Sequence, residues 1–177
     1  MTIRYAILGL LSWHPCTGYD LKKMFADSST LYWSGNNNQI YTTLIQMHNE
    51  GLVTVEVHPQ ESLPARKIYT ISPEGRAALR DWVLSAPEPF ELRSTFLIQL
   101  GWADQLSPQE LDTLLTAYQT EIEEQLITQR EKARRAQSPN RTPREKFLWE
   151  MVAKNLLDRY ENELAWLRAI REGLKRY

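Results

Sequence analysis

Residues 143–175 read as one unbroken helix, and its length constrains what the rest of the chain can do. Leu148, Met151, Leu156, Tyr160, Leu164, Leu167, Ile170 and Leu174 recur along it at helical spacing. At about 1.5 Å per residue such a helix runs about 50 Å, more than a small N-terminal domain covers. A second long helix over 107–137 carries Leu111, Leu115, Tyr118, Ile122 and Leu126 on one side. Two helices of one chain do not hide every stripe of that length, so a second copy is the economical partner. The residues expected at that homodimer interface are Leu111, Leu115, Tyr118 and Ile122 on the first helix, with Met151, Leu156, Tyr160, Leu164 and Leu167 on the second.

Helix starts are marked by local chemistry. "TGYD" at 17–20 is a capping-box pattern, in which the Thr17 hydroxyl takes a free N–H and Asp20 reaches back. "SPEG" at 72–75 offers Ser72 as N-cap and Pro73 as first helical residue, and "SPQE" and "TPRE" at 107–110 and 142–145 repeat the pattern. These signals predict helices over 3–13, 17–27, 36–50, 73–85, 92–104, 107–137 and 143–175, with Gly51 stopping the third. "LVTVEV" (52–57) and "RKIYTI" (66–71) alternate and are rich in β-branched residues, which predicts two strands around the proline-bearing loop "HPQESLPA". Three helices, a two-stranded wing and a fourth helix make a winged helix-turn-helix. The expected class is therefore mainly α (α+β): a winged-helix DNA-binding domain at 1–85, a linker and connecting helix at 86–106 around "SAPEPFE", and a long-helix C-terminal dimerisation domain at 107–177.

The third helix explains what the wing is for. Ile40, Leu44 and Met47 form its apolar stripe, with Tyr41 and Ile45 alongside, while Asn38, Gln39, Thr42, Gln46 and Asn49 gather opposite. A solvent-facing helix ordinarily spends such positions on Lys, Glu and Arg. Amides and hydroxyls instead donate and accept in the patterns that base edges present in the major groove, whereas charge would favour any phosphate. Net charge works against a broad basic footprint: it is −1, with seven basic and seven acidic residues before position 86. Phosphate contacts must therefore come from the local placement of a few cations.

Three blocks in order, "YAILGLLSWHPCTGYDLKKMF", "WSGNNNQIYTTLIQMHNEGLV" and "PARKIYTISPEGRAALRDW", together resemble the PadR family of transcriptional regulators. The resemblance covers roughly the first 85 residues, and "GLVTVEVHPQESLPARKIYTISPEGRAAL" is similar to its AphA virulence-activator branch, whose members carry a long helical C-terminal region. It implies a cytoplasmic homodimer bound to a double-stranded DNA operator, adjusted by a small-molecule effector or a partner protein. Carried over by position, it puts the recognition helix at 36–49, with Asn37, Asn38, Gln39, Thr42, Thr43 and Gln46 at groove or backbone and Tyr41 in a mixed role, ring packed and hydroxyl toward phosphate. It matches Arg66 and Lys67 to the basic pair of the wing, while Tyr19, Lys22 and Lys23 lie on the preceding helix within reach of the backbone.

Other classes fare worse. There is no glycine-rich phosphate loop, nucleophile elbow or paired-histidine motif, so no catalytic residue, cofactor or metal site is expected. A helical protein–protein interaction module without DNA specificity is the competing reading. The single cysteine, Cys16, excludes an internal disulfide and reads as a small buried residue, although a helix N-terminus and His14 nearby are features that lower a thiol pKa. His14, His48 and His58 are too scattered to argue a metal site. The six tryptophans read as core and interface anchors, with Trp33, Trp82 and Trp102 as walls of a pocket for a flat ligand in the lesser alternative. The N-terminal "TIRYAILGLLSW" has no basic region or small-residue cleavage site and reads as an amphipathic first helix rather than a leader. No apolar run is long enough to span a membrane, so no membrane partner is expected.

Overall fold

The structure is a computed structural model that describes residues 3–28, 38–59, 65–88, 94–135 and 141–176. It divides into two compact units, Met1–Pro87 and Glu88–Tyr177. Trp33, Asn36 and Asn37 lie outside the described residues.

The first unit runs α1 (Ile3–Leu11), β1 (Cys16–Thr17), α2 (Gly18–Asp27), α3 (Asn38–Asn49), β2 (Val53–His58), β3 (Arg66–Ile71) and α4 (Pro73–Leu84). The capping box forms as the sequence implies: the Asp20 backbone N–H donates to Thr17 Oγ1 at 3.1 Å, and the Thr17 backbone N–H donates back to the Asp20 carboxylate at 2.9 Å. That backbone hydrogen bond is the main reason the Asp20 carboxyl sits below its ordinary pKa. At the end of α3, Gly51 takes φ 75° and the Leu52 N–H closes onto the Met47 carbonyl at 2.9 Å, a left-handed stop that favours glycine. Ser72 caps α4 and its hydroxyl also donates to the Gly51 carbonyl at 2.7 Å, so one side chain joins the end of α3 to the start of α4.

β2 and β3 pair antiparallel from Val53↔Ile71 to His58↔Arg66. The wing expected to have two strands has a third at its base, because Cys16–Thr17 pairs with Tyr69 and Ile68, giving the order β1-β3-β2. Two residues carry no readable alternation; only the neighbouring strand makes them a strand. Ile7, Leu8, Leu11, Leu21, Leu44 and Met47 form the centre of the core, closed by Val53, Tyr69 and Ile71 from the sheet.

The second unit comprises α5 (Thr95–Gly101), a 3-10 turn (Ala103–Gln105), α6 (Pro108–Arg135) and α7 (Pro143–Leu174). The connecting helix expected over 92–104 is thus shorter and ends in the 3-10 turn. α6 and α7 pack antiparallel: Asp112 pairs with Arg171 near one end, Tyr118 Oη donates to Glu163 at 2.8 Å, and Arg130 pairs with Glu161 at 2.7 Å farther along.

The expected dimer residues divide in this unit. Leu115 and Leu167, each 1% exposed, are sealed with Phe96 inside one chain, and Leu111, Tyr118 and Leu164 pack against that cluster. Ile122 is also buried. The reason is α5: Phe96 stacks on Tyr118 at a centroid distance of 3.6 Å and sits edge-on to Trp166, closing a stripe that the sequence alone leaves open. Leu115 and Leu167 therefore offer no surface to a second copy. Leu156 and Tyr160 are half-buried, and Met151 is exposed together with Ile127, Phe147, Leu148 and Val152. Among the described residues no helix is long and apolar enough to cross a membrane.

Candidate nucleic-acid interface

α3 turns Ile40, Leu44 and Met47 into the core and leaves Asn38, Gln39, Tyr41, Thr42, Ile45 and Gln46 exposed. Thr43 is half-buried at the margin. Within this face two side chains, Thr42 and Gln46, are tied by hydrogen bonds. The Thr42 hydroxyl donates to the Asn38 carbonyl one turn back at 2.9 Å, which commits its proton within the helix. Gln46 Nε2 donates to Glu50 at 2.8 Å, and Glu50 is paired with Arg4 of α1. Arg4 first, then Gln46, holds the Glu50 carboxyl below its ordinary range. This chain of contacts ties the Gln46 amide to a residue of α1, which is 46 positions from Glu50 in the sequence.

Tyr41 is positioned by what α2 lacks. Its ring lies over Gly18, where an added Cβ would come within 2.5 Å of the Tyr41 ring. A glycine at the first residue of α2 therefore lets the tyrosine ring approach the helix start closely.

The wing brings Arg66 and Lys67 to the outer end of β3, both exposed. Arg66 stands near enough to Asp20 to help lower that carboxyl. On α2, Tyr19, Lys22 and Lys23 are exposed. The first unit thus carries the cations and amides singled out from the sequence, apart from Asn37, which is not described.

Sequence reasoning missed three features. Ile45 was expected beside the apolar stripe and is 57% exposed instead. Counting about 100° per residue from Thr42 puts it on the outer face, so helical geometry held the signal. Gly18 beneath Tyr41 and the Arg4–Glu50 anchor had no local signal, since the ion-paired residues are 46 positions apart.

Two other candidates resolve. Burial pushes the Cys16 thiol up to about 11, with the Asp20 charge adding to it, which leaves an inert core residue hydrogen-bonded to the His14 carbonyl. Trp82 stacks on Tyr5 at 4.8 Å between α4 and α1, while Trp102 is exposed in the second unit. Among the described residues no group of His, Cys, Asp and Glu is placed to hold a metal.

Comparison with known proteins bears on both units. Residues 7–81 match the transcriptional regulator PadR-like family, and residues 92–175 match the virulence activator alpha C-terminal family. The negative transcriptional regulator PadR of Bacillus subtilis is 29% identical over 173 residues, covering 95% of this chain and 94% of that protein. Its crystal structure in complex with operator DNA superposes with a TM-score of 0.79 at 28% identity, over 95% of this chain and 96% of that one. Its complex with p-coumaric acid gives 0.75 at 27% identity, over 95% of each chain. The virulence activator AphA of Vibrio cholerae, at 23% identity, shares the fold with a TM-score of 0.70 over 99% of both chains.

Proposed function

The chain belongs to the PadR-like family of transcriptional regulators, and on that premise we propose that it acts as a homodimer on a double-stranded DNA operator, one α3 helix per half-site. The observation that carries this is the outer face of α3: exposed, uncharged hydrogen-bonding groups, with Thr42 and Gln46 tied by hydrogen bonds, in the same unit as a wing that carries two exposed cations. Asn38, Gln39, Thr42 and Gln46 read base edges, with Thr43 at the margin. Tyr41, Tyr19, Lys22, Lys23, Arg66 and Lys67 meet the backbone and fix register.

Residues 1–85 are the DNA-binding domain, 86–106 the connection and 107–177 the dimerisation domain. The apolar side chains exposed on α6 and α7, Ile127, Phe147, Leu148, Met151 and Val152, are the surface that a second copy covers. Repression as the mode of action is supported by the full-length similarity to a negative regulator, and a small-molecule effector by that relative's complex with p-coumaric acid. Cytoplasmic residence follows from work on operator DNA.

Fluorescence anisotropy with the full-length protein tests the reading, comparing a duplex selected from a random pool with its scrambled counterpart across a salt series. The selected duplex should bind at least about a thousandfold more tightly, with log affinity falling linearly with log salt. Equal, salt-insensitive binding to both duplexes would leave a helical interaction module as the better description.

A further inference from the structure

Ile45 stands apart from the rest of α3. The other aliphatic residues of that helix, Ile40, Leu44 and Met47, are at most 2% exposed, whereas Ile45 is 57% exposed on the side that carries the polar groups. A single exposed aliphatic side chain is ordinary on a protein surface. Its neighbour makes this one specific. Thr42, three residues earlier on the same face, spends its hydroxyl proton on the Asn38 carbonyl, so its methyl is the part of the side chain with no hydrogen-bonding role. By helical geometry Ile45 lies about 60° from Thr42 on one side, and Gln39 and Gln46 lie about 60° and 40° away on the other. The outer face of α3 thus has the Gln39 and Gln46 amides on one side of Thr42 and Ile45 on the other, with Asn38 and Asn49 falling in angle between Thr42 and Ile45.

In the major groove the four base pairs present donors, acceptors and a single apolar group, the C5 methyl of thymine. We propose that Ile45, with the Thr42 methyl, is a specificity-determining contact that selects thymine by its methyl at one position of each half-site. This inference rests on the DNA-binding reading above and adds to it a residue and a base. The amides distinguish bases by hydrogen bonds, while Ile45 distinguishes thymine from any base that puts a polar group or nothing at that point.

Deoxyuridine isolates the contact, because replacing thymine by uracil removes the methyl and leaves every hydrogen-bonding group in place. Each thymine of a duplex selected by the full-length protein is replaced in turn, and affinity is measured by anisotropy for wild type, Ile45→Ala, Ile45→Gln and Arg66→Ala. Wild type should lose about fourfold at one thymine per half-site, the fold-change that corresponds to roughly one buried methylene-sized group. The same replacement should leave Ile45→Ala and Ile45→Gln close to unchanged, while Arg66→Ala keeps the full sensitivity. Both Ile45 variants put good helix formers at an exposed position, and circular dichroism verifies the fold.

Sensitivity to uracil that persists undiminished in the Ile45 variants, or that is absent from wild type, overturns the proposal while leaving DNA binding intact. A change in oligomeric state on Ile45→Ala assigns the side chain to a protein contact and overturns it as well. Failure of the selection to enrich any sequence falls on the DNA-binding reading itself, and the inference falls with it.

Discussion

The two units solve the same packing problem to different degrees. Among the described residues, Met1–Pro87 buries a continuous cluster of fourteen apolar side chains drawn from its helices and its sheet. In Glu88–Tyr177 the corresponding cluster has three fully buried members, Phe96, Leu115 and Leu167, although that unit contains the two longest helices. Three helices and a sheet enclose a volume; two long antiparallel helices share a seam and leave their outer faces in water. Hence large apolar groups such as Phe147 and Ile127 stay more than half exposed in the second unit. A unit that closes on itself can present a rigid reading surface, and one that stays open has apolar area to give to a second copy.

Cutting the chain at residue 87 tests this contrast most severely. The first unit alone should remain folded and monomeric by light scattering, because its core cluster is built from its own residues. Its affinity for a two-half-site operator should fall at least about a hundredfold, since the second half-site is no longer held at high effective concentration. A truncated protein that still binds as a dimer would move the interface into the first unit.

Matched core truncations sharpen the comparison next. Leu44→Ala and Leu167→Ala both empty fully buried sites, and each should cost about 2–5 kcal/mol. Calorimetry at several protein concentrations separates them. The transition of the second unit, and with it the effect of Leu167→Ala, should move to higher temperature as concentration rises, because the dimer binds its folded form. The transition lowered by Leu44→Ala should stay put. Two concentration-independent transitions would show that α6 and α7 are stable without a partner.

Smaller effects distinguish features inside the first unit. Arg66→Ala and Lys67→Ala should weaken selected and scrambled DNA about equally, each lowering the salt slope by roughly one for every phosphate left without its cation. A loss confined to the selected duplex would make the wing a reader rather than an anchor.

The smallest effect concerns the α2 cap, and its sign is fixed by the direction of the Asp20 shift. The carboxyl titrates lower in the folded chain than in the unfolded one, so its stabilisation is present above the unfolded value and disappears as pH falls through the folded one. Asp20→Ala should therefore cost about 1 kcal/mol in urea unfolding at neutral pH, a modest figure because the group is largely solvated. The gap between variant and wild type should close below about pH 4. A gap of constant size would mean that Asp20 acts through packing.

The helices and the wing were legible in the sequence because their signals are local. Thr17 with Asp20, Ser72 with Pro73, and Thr142 with Pro143 each combine a capping side chain with a residue suited to the first turn, and all three mark true helix starts. The alternation of 66–71 put the strand Arg66–Ile71 where it lies, and the spacing of Ile40, Leu44 and Met47 set which side of α3 is buried. The polar face of the candidate site followed from the same count, since the side of a helix opposite its buried stripe is the exposed one.

What escaped depends on partners far away in the chain. Cys16–Thr17 becomes a strand only because β3 passes beside it, and Gln46 is tied to an ion pair that begins at Arg4. An apolar stripe says that a face is covered without saying by whom. Leu115 and Leu167 read as interface residues, but Phe96 of a short helix closes over them, and Ile45, expected alongside the apolar stripe, is left in water by the turn of α3. By itself the sequence determined the order of elements, the helix starts and the character of each face, all set by interactions within a turn or two. Which faces meet inside one chain, and which stay open to DNA or a second copy, was decided by tertiary packing, because burial is a property of the space between elements and not of any one of them.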